Sequence, residues 1–289
     1  MSEIIPDSTK KVLKWIIEYI QIEEPETEIQ SLAYMVINRF FKIDKSEIIS
    51  DRSINLSKNE IKELKRFLDR INNHEPIQYI IGEADFFGRK FEVNPAVLIP
   101  RNETEELVNL IIKDYKDKKI KLLDVGTGTG CIPITIVKEL KLNKAFAIDF
   151  DPRVIKVARQ NAQKHNVELE FLMIDALKEP FPVQGLDVIV SNPPYVLYSE
   201  KELMKPNVTK YEPGTALYVS DENPLIFYER IAEHALGSLK EDGRLYFEIN
   251  EKFGDKIKFM LEQKGYKNVA IIADINGKDR IVRASNSLA

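Results

Sequence analysis

Cysteine is nearly absent from this chain, since Cys131 is the single one among 289 residues. One thiol excludes an internal disulfide, and a chain without disulfides is typical of a reducing compartment. The three histidines, His74, His165 and His234, lie far apart in the sequence and form no recognisable zinc-ligand spacing with that cysteine. The sequence therefore predicts a cytosolic protein that contains no structural metal.

Long hydrophobic runs are also absent. No stretch of about eighteen apolar residues occurs, and the N-terminus lacks the basic segment and apolar core of an export signal. The formal net charge is −4, and residues 1–75 carry twelve Lys and Arg against fourteen Asp and Glu. Strong electrostatic binding of long nucleic acid favours a basic patch, which this composition does not provide. We expect a cytoplasmic monomer that neither spans a membrane nor binds nucleic acid stably.

Residues 1–75 show the apolar spacing of helices. The pattern covers 10–22 and 29–41, and Ser57 with Glu60 three residues later is typical of a capping box before a third helix. The sequence predicts a small helical bundle here. Residues 76–100 differ, because two short β-like runs, 78–82 and 86–93, predict a β-hairpin linker.

Strand and helix patterns alternate over residues 101–289. Such alternation predicts an α/β domain with a mostly parallel sheet covered by helices on both faces. A terminal hairpin around Asn276-Gly277 would add one antiparallel strand. The predicted strands are 119–125, 145–149, 169–174, 186–191, 243–250, 269–274 and 280–284, with helices beginning near Cys131, Pro152 and Pro224.

The tetrapeptide Asn192-Pro193-Pro194-Tyr195 follows an apolar predicted strand. The Asn192 side chain and the Pro193 carbonyl can each accept an N–H, and Tyr195 offers a flat face for an amide or a nucleobase. Two prolines stiffen the loop that carries these acceptors. The tetrapeptide predicts a site for a planar nitrogen, and a simple Pro-rich turn is the alternative.

A glycine-rich turn follows the first strand of the α/β region. Its G-x-G-x-G spacing differs from the G-x-G-x-x-G of dinucleotide folds, and the nearby Asp124 would repel a pyrophosphate. A ligand with a cationic amine, such as the methionine part of S-adenosylmethionine, suits this carboxylate better, although a purely structural turn is the alternative. The predicted cofactor residues here are Asp124, Gly126, Thr127, Gly128, Thr129 and Gly130.

Two further acids end the next two predicted strands. Asp149 lies about twenty residues after the glycine turn, where an acid commonly binds ribose hydroxyls. Asp175 follows the third strand, and Asp151 is interpreted as a helix cap before Pro152. Because parallel strand ends converge on one crevice, we expect these acids, the glycine turn and Asn192 to face a single pocket.

With these residues placed, the chain resembles the class I S-adenosylmethionine-dependent methyltransferases, and among them the HemK/PrmC-type protein-glutamine N5-methyltransferases. The resemblance covers nearly the whole chain. It is carried by Asn192-Pro193-Pro194-Tyr195 and by the segments 75–82, 85–88, 93–105 and 279–280.

This resemblance implies a Rossmann-like domain with a seven-stranded sheet over residues 101–289, preceded by a substrate-recognition bundle. It implies methyl transfer from S-adenosylmethionine, with S-adenosylhomocysteine as product. The acceptor would be the side-chain amide of the glutamine in the Gly-Gly-Gln motif of peptide chain release factors, and the modification would modulate translation termination.

The resemblance also implies roles for particular residues. Residues 126–130 would contact the methionine and ribose of the cofactor, Asp149 the ribose hydroxyls, and Asp175 with Ala176 the adenine. The catalytic and substrate-binding residues would be Asn192, Pro193, Pro194 and Tyr195, and Phe87 would pack on the substrate amide. Asn102 and Ala176 depart from the family pattern, which often has proline and a bulky aromatic there.

Two other interpretations of the sequence remain open. A nucleic-acid methyltransferase acting on adenine N6 or guanine N2 could use the same tetrapeptide on a flipped-out base. A catalytically silent cofactor-binding protein is the second alternative.

Cys131 is interpreted as a packing residue rather than a nucleophile, and residues 211–217 are assigned to substrate enclosure.

Overall fold

The computed structural model describes residues 7–286, which form two compact units. One unit contains the described residues up to Gly82 together with Pro206–Tyr211. The other contains Glu83–Lys205 and the described residues from Glu212 onward. Within residues 7–286, no helix combines the length and the apolar character needed to cross a lipid bilayer.

Helices build the first unit, whereas the second unit combines helices with strands. The α-helices are α1 (Thr9–Tyr19), α2 (Glu26–Phe41), α3 (Lys45–Ile49), α4 (Lys58–Asn72), α5 (Ile77–Ile81), α6 (Asn102–Asp114), α7 (Cys131–Leu140), α8 (Pro152–Lys164), α9 (Pro206–Tyr211), α10 (Ile226–Leu236) and α11 (Gly254–Gln263). The strands are β1 (Glu83–Phe86), β2 (Arg89–Glu92), β3 (Leu122–Val125), β4 (Ala145–Asp149), β5 (Leu169–Met173), β6 (Leu186–Ser191), β7 (Val196–Leu197), β8 (Tyr218–Val219), β9 (Leu239–Glu248), β10 (Lys267–Ala273) and β11 (Asp279–Ser285).

The first unit is the predicted helical bundle. Its core is built from one apolar stripe of each main helix, including Ile16 of α1, Val36 of α2 and Leu64 of α4. The predicted capping box at the start of α4 is confirmed, because Ser57 N–H donates to Glu60 Oε2 at 2.8 Å and Glu60 N–H donates to Ser57 Oγ at 3.2 Å. Helix α3, which was not predicted, fills the connection between α2 and α4.

The β-like run predicted at 78–82 is wrong, because these residues belong to helix α5 and its C-cap. Pro76 precedes the helix and Gly82 ends it with a φ of +84°. A short apolar run does not distinguish a strand from a buried helix, and packing of Ile77 in the bundle core decides for the helix here. The predicted hairpin exists further on, as β1 and β2 joined at Phe87-Gly88.

The second unit contains the predicted seven-stranded sheet, in the order β10-β11-β9-β6-β3-β4-β5. Strands β9, β6, β3, β4 and β5 are parallel, and β11 is antiparallel to both of its neighbours. The two faces of the sheet bury alternate side chains. Leu123 of β3 packs with α10 and α11, whereas Leu122 packs with α6 and α7, so helices cover both faces as predicted.

The strand order creates a crevice at the carboxyl end of β3. The chain passes from β3 to β4 on one side and later returns to β6 on the other side, so loops from these strands diverge above β3. Ser191 at the end of β6 donates a hydrogen bond from Oγ to the Val125 carbonyl at 2.7 Å, which joins the ends of the two strands. The residues that follow β3, β4 and β6 are therefore held close together.

Candidate active site

A cavity in the second unit opens at the carboxyl ends of β3, β4 and β6. Most of the residues predicted for the site line it, so the ends of these strands share one pocket, although not every predicted residue faces it. The lining residues among those predicted are Gly126, Thr127, Gly128, Thr129, Asp149, Asp175, Ala176, Asn192, Pro193 and Pro194. Asp124, Gly130, Tyr195 and Phe87 are not among the lining residues, and each has a different position.

The glycine turn is held tightly against β4. The N–H groups of Gly126 and Thr127 both donate to the Ile148 carbonyl at 3.0 Å. Gly128 faces open space with a φ of +54°, so the backbone can approach a ligand there. Gly130, with a φ of +79°, instead packs against α7 and α8, where an added Cβ would lie 3.2 Å from Ile134 Cδ1. The first part of the turn thus faces the cavity and its end is structural.

Asp124 is a fully buried carboxylate behind this turn. Neither of its oxygens meets a hydrogen-bond partner, and the Thr127 hydroxyl is also unpartnered. Burial raises the pKa of Asp124 to about 7, and the nearby Thr127 hydroxyl offsets only part of this rise. Buried carboxylates are normally paired, so an unpartnered one beside a cavity fits a ligand that brings positive charge. The buried Asp124 carboxylate therefore suits the positively charged amino group of the predicted cofactor, although Asp124 itself has no exposed surface.

Asp149 occupies the end of β4 on the cavity wall. Its Oδ2 accepts from Gly128 N–H at 3.3 Å and its Oδ1 from Asp151 N–H at 3.2 Å. Burial raises the pKa of Asp149. Each carboxylate oxygen keeps accepting capacity, which is the arrangement needed to bind two adjacent hydroxyl groups. The Asp151 side chain accepts from Arg153 N–H at 2.8 Å, which confirms its role as a helix cap.

Asp175 lies on the wall beyond β5. Its carboxylate pairs with Lys178 at 2.7 Å and accepts from Leu177 N–H at 3.0 Å. The Lys178 ammonium lowers the pKa of Asp175. Its side chain is thus engaged in a local turn, and Ala176 beside it adds a small apolar surface to the cavity.

Asn192 is oriented by a chain of hydrogen bonds that starts at Glu248, at the end of the neighbouring strand β9. Its Nδ2 donates to Thr104 Oγ1 at 3.2 Å, and the Thr104 hydroxyl donates to Glu248 Oε2 at 2.7 Å. Thr104 lies in the first turn of α6, and Glu248 ends β9. Because the amide nitrogen meets Thr104, the Oδ1 atom of Asn192 is left to accept from another donor.

Tyr195 points into the protein rather than into the cavity. Its hydroxyl donates to Glu248 Oε1 at 3.0 Å, and its carbonyl accepts from Asn250 Nδ2 at 3.3 Å. Burial raises the pKa of Tyr195, and the Glu248 charge raises it further. In this structure Tyr195 anchors the loop, so its predicted stacking on the substrate amide stays a prediction.

Phe87 is located at the turn of the β1–β2 hairpin. Its N–H donates to Glu105 Oε1 at 2.6 Å, and its ring contacts Phe86 with ring centroids 6.5 Å apart. The structure does not place Phe87 on the cavity wall, and its assignment to the substrate also stays a prediction.

Cys131 begins α7 behind the glycine turn. Burial raises the pKa of its thiol to about 12, so the thiol is neutral at physiological pH. This supports the interpretation of Cys131 as a packing residue.

Part of the segment 211–217, which the sequence assigns to substrate enclosure, forms one wall of the cavity. Glu212 is buried and accepts from Ile99 N–H at 3.1 Å and from Arg101 Nη2 at 2.5 Å. Thr215 and Ala216, a few residues later, line the cavity. The position of Thr215 and Ala216 agrees with this assignment, and enclosure of the substrate itself stays a prediction.

The sequence did not identify Asn161 and Glu248 as site residues, because they support the site through hydrogen bonds to backbone groups or to other side chains. Asn161 of α8 exchanges two hydrogen bonds with the Glu92 backbone, at 2.7 and 3.0 Å, and donates to the Thr129 carbonyl at 2.9 Å. It thereby joins the hairpin to the glycine turn. Glu248 had a detectable signal, since it is an acid at the end of an apolar strand, as Asp149 is.

Comparisons with known proteins agree with this geometry. Residues 11–82 match the PrmC N-terminal domain, and residues 116–251 match a methyltransferase domain. A release factor glutamine methyltransferase of Bacteroides thetaiotaomicron is 41% identical over 277 residues, which are 95% of this chain and 99% of that protein. One from Flavobacterium psychrophilum is 39% identical over 264 residues, 90% of this chain and 93% of that protein.

A solved structure shares the fold. The methyltransferase from Pyrococcus furiosus aligns with a TM-score of 0.51 and 20% identity, covering 76% of this chain and 98% of that one. The seven-stranded sheet, the glycine turn and the extent of the similarity in sequence lead to one conclusion. The chain belongs to the release factor glutamine methyltransferase family.

Proposed function

We propose that this protein transfers the methyl group of S-adenosylmethionine to the side-chain amide nitrogen of the glutamine in the Gly-Gly-Gln motif of peptide chain release factors. The observation that carries this proposal is the orientation of Asn192. Thr104 holds its amide nitrogen, and its Oδ1 is available beside a cavity that also receives the glycine turn and Asp149. The relatives at 41% and 39% identity support a protein acceptor over a nucleobase.

The cofactor would be bound by the residues at the ends of β3 and β4. Asp149 would accept from the ribose hydroxyls, and the backbone at Gly128 would allow close approach. The buried Asp124 carboxylate would compensate the positive charge of the amino group, and Ala176 would border the adenine. When bound, S-adenosylmethionine supplies a methyl group on a positively charged sulfur.

The acceptor nitrogen needs help because amide resonance delocalises its lone pair. Hydrogen bonds from its two N–H groups to Asn192 Oδ1 and the Pro193 carbonyl would orient the nitrogen for in-line attack. They would also stabilise the positive charge that develops on it. Orientation of this kind lowers the activation barrier by about 7 kcal/mol or more in well-aligned systems.

A tuned base is not required after methyl transfer, because the methylated amide nitrogen is strongly acidic. The protonation states of Cys131 and Tyr195 are consistent with a reaction that needs no base. Burial raises the pKa of both Cys131 and Tyr195, so neither is ionised at neutral pH. We also propose that the protein is cytoplasmic, consistent with its single buried thiol, and that it acts as a monomer.

The test separates the acceptor from the cofactor residues. Asn192→Ala should abolish turnover and weaken cofactor binding at most slightly, whereas Asp149→Ala should raise the cofactor dissociation constant measured by calorimetry. Asn223→Ala, at an exposed asparagine away from the cavity, is the matched control. Wild-type protein should label full-length release factor from labelled cofactor, and not duplex DNA or ribosomal RNA. Label in nucleic acid alone would overturn the proposal.

A further inference from the structure

Glu248 is a buried carboxylate that the proposed reaction does not use directly. It has no exposed surface at the end of β9. The sheet register pairs Ser191 of β6 with Phe247 of β9, so Asn192 and Glu248 leave their strands side by side. A buried carboxylate is costly unless its oxygens accept hydrogen bonds. The partners of Glu248 therefore indicate what it is for.

Both carboxylate oxygens of Glu248 accept hydrogen bonds from hydroxyl groups that hold or belong to the tetrapeptide. Oε2 accepts from the Thr104 hydroxyl at 2.7 Å, and Oε1 accepts from the Tyr195 hydroxyl at 3.0 Å. Burial raises the pKa of Glu248 above its usual value, and these two hydrogen bonds and the charge of Arg280 offset part of that rise. The two donated hydrogen bonds and the nearby guanidinium favour the ionised form of this carboxyl group.

The hydrogen atoms that Thr104 and Asn192 can donate toward Glu248 determine which way the Asn192 amide is turned. An ionised carboxylate only accepts, so the single hydroxyl proton of Thr104 is committed to Glu248. The Thr104 oxygen can then only accept from Asn192. That contact requires the amide N–H₂ of Asn192, and a flipped amide would place two acceptors against each other.

We propose that Glu248 is a positioning residue for methyl transfer, which acts through Thr104 to keep the carbonyl end of Asn192 toward the acceptor nitrogen. Its second hydrogen bond, from Tyr195, fixes the other end of the same tetrapeptide. The inference rests on the proposed function, since it assigns a role in holding the acceptor amide.

Glu248→Gln tests this with almost no change in shape. Glutamine has one N–H₂ in place of an accepting oxygen, so either Thr104 or Tyr195 loses its acceptor, and one of the two hydrogen bonds that hold the ends of the tetrapeptide is lost. We expect kcat to fall about 100-fold, the loss typical of one misplaced catalytic hydrogen bond. The cofactor dissociation constant should stay within about twofold, because the cofactor residues on β3 and β4 are untouched.

Substitutions at Thr104 test the connection itself. Thr104→Ser retains the hydroxyl and should retain kcat, whereas the isosteric Thr104→Val should lose about as much as Glu248→Gln. Adding Glu248→Gln to Thr104→Val should have little further effect, because the path to Asn192 is already broken. This set still decides the matter if Glu248→Gln does not fold.

Tyr228→Phe is the matched control. The Tyr228 hydroxyl donates to the backbone carbonyl of Glu248 at 3.3 Å and is fully buried. The variant therefore removes a buried hydrogen bond at the same residue without touching the carboxylate. It should lower thermal stability slightly and leave kcat unchanged.

A readout that needs no acceptor separates this inference from the proposed function. The side-chain ¹⁵N–H₂ resonances of Asn192, assigned by their loss in Asn192→Ala, should shift in Glu248→Gln and Thr104→Val and not in Tyr228→Phe. Failure of the wild-type protein to methylate release factor would overturn the function alone. Unchanged Asn192 resonances in folded Glu248→Gln, equal loss of kcat in Tyr228→Phe, or an inactive Thr104→Ser would overturn the role of Glu248.

Discussion

The unpartnered Asp124 carboxylate should make the ligand-free protein less stable as pH rises. In the unfolded chain this carboxyl ionises near its usual pKa of 3.8, whereas burial raises the folded pKa to about 7. Between these values the folded state binds one more proton than the unfolded state, so the free energy of unfolding falls with pH. The cost of ionising Asp124 is absent below about pH 4 and complete above about pH 7.

The size of the effect follows from the two pKa values. Their difference of about 3 corresponds to about 4 kcal/mol, since one pKa unit is about 1.4 kcal/mol. Asp124→Asn removes this titration. The free energy of unfolding of the variant minus that of wild type should therefore become more positive by about 4 kcal/mol between pH 4 and pH 8. Costs of the buried carboxamide that do not depend on pH cancel in this comparison.

Urea unfolding of the ligand-free proteins, followed by circular dichroism at several pH values, measures this difference. Asp242→Asn, which changes an exposed acid of β9, is the control and should show no such trend. A difference for Asp124→Asn that stays constant from pH 4 to pH 8 would refute the reasoning. In calorimetry the same substitution should be unfavourable. We expect S-adenosylmethionine to bind about tenfold more weakly or worse, because the buried negative charge that would compensate its amino group is lost.

Two further predictions concern the glycine turn. Gly130→Ala places a side chain at a φ of +79°, with its Cβ 3.2 Å from Ile134 Cδ1, and should destabilise the protein by about 1–2 kcal/mol in urea unfolding. Gly237→Ala, at a φ of −79° with nothing within 4 Å of the added Cβ, should be neutral or slightly stabilising, and equal effects would contradict this explanation. Asn161→Ala leaves the Glu92 and Thr129 backbone groups without its three hydrogen bonds and should cost about 3 kcal/mol. The exposed Gln163→Ala on the same helix should change the free energy of unfolding by less than about 0.5 kcal/mol, and a similar loss in both variants would contradict the role of Asn161.

Strands of the parallel sheet were predicted well where apolar runs end in a polar turn. The bounds of β4 and β6 agree with the sequence pattern to the residue, because Asp149 and Ser191 end buried runs. The bounds of β9 do not. It begins at Leu239, four residues before the predicted start, and includes three exposed charged residues that local pattern assigns to a loop. Pairing of Leu239 with Leu186 of β6, which the local pattern does not record, extends β9 there.

The prediction of a β-like run at 78–82 failed for a related reason. Its residues are compatible with a strand or a helix, and the bundle core that receives Ile77 decides between them. Such a decision depends on residues far away in the sequence. The hairpin after it was predicted in kind but displaced, because the second β-like run contains the turn itself.

The sequence by itself determined the class of fold, the glycine turn, the acids at strand ends and the tetrapeptide that presents Asn192. These depend on patterns of a few neighbouring residues. The tertiary structure alone decided how Asn192 is oriented. Its partner Thr104 lies 88 residues away in the chain, and Glu248 lies 144 residues from Thr104. The order of strands places β9 beside β6, and the packing of α6 against β9 brings Thr104 to both. These long-range arrangements bring the three side chains within hydrogen-bond distance.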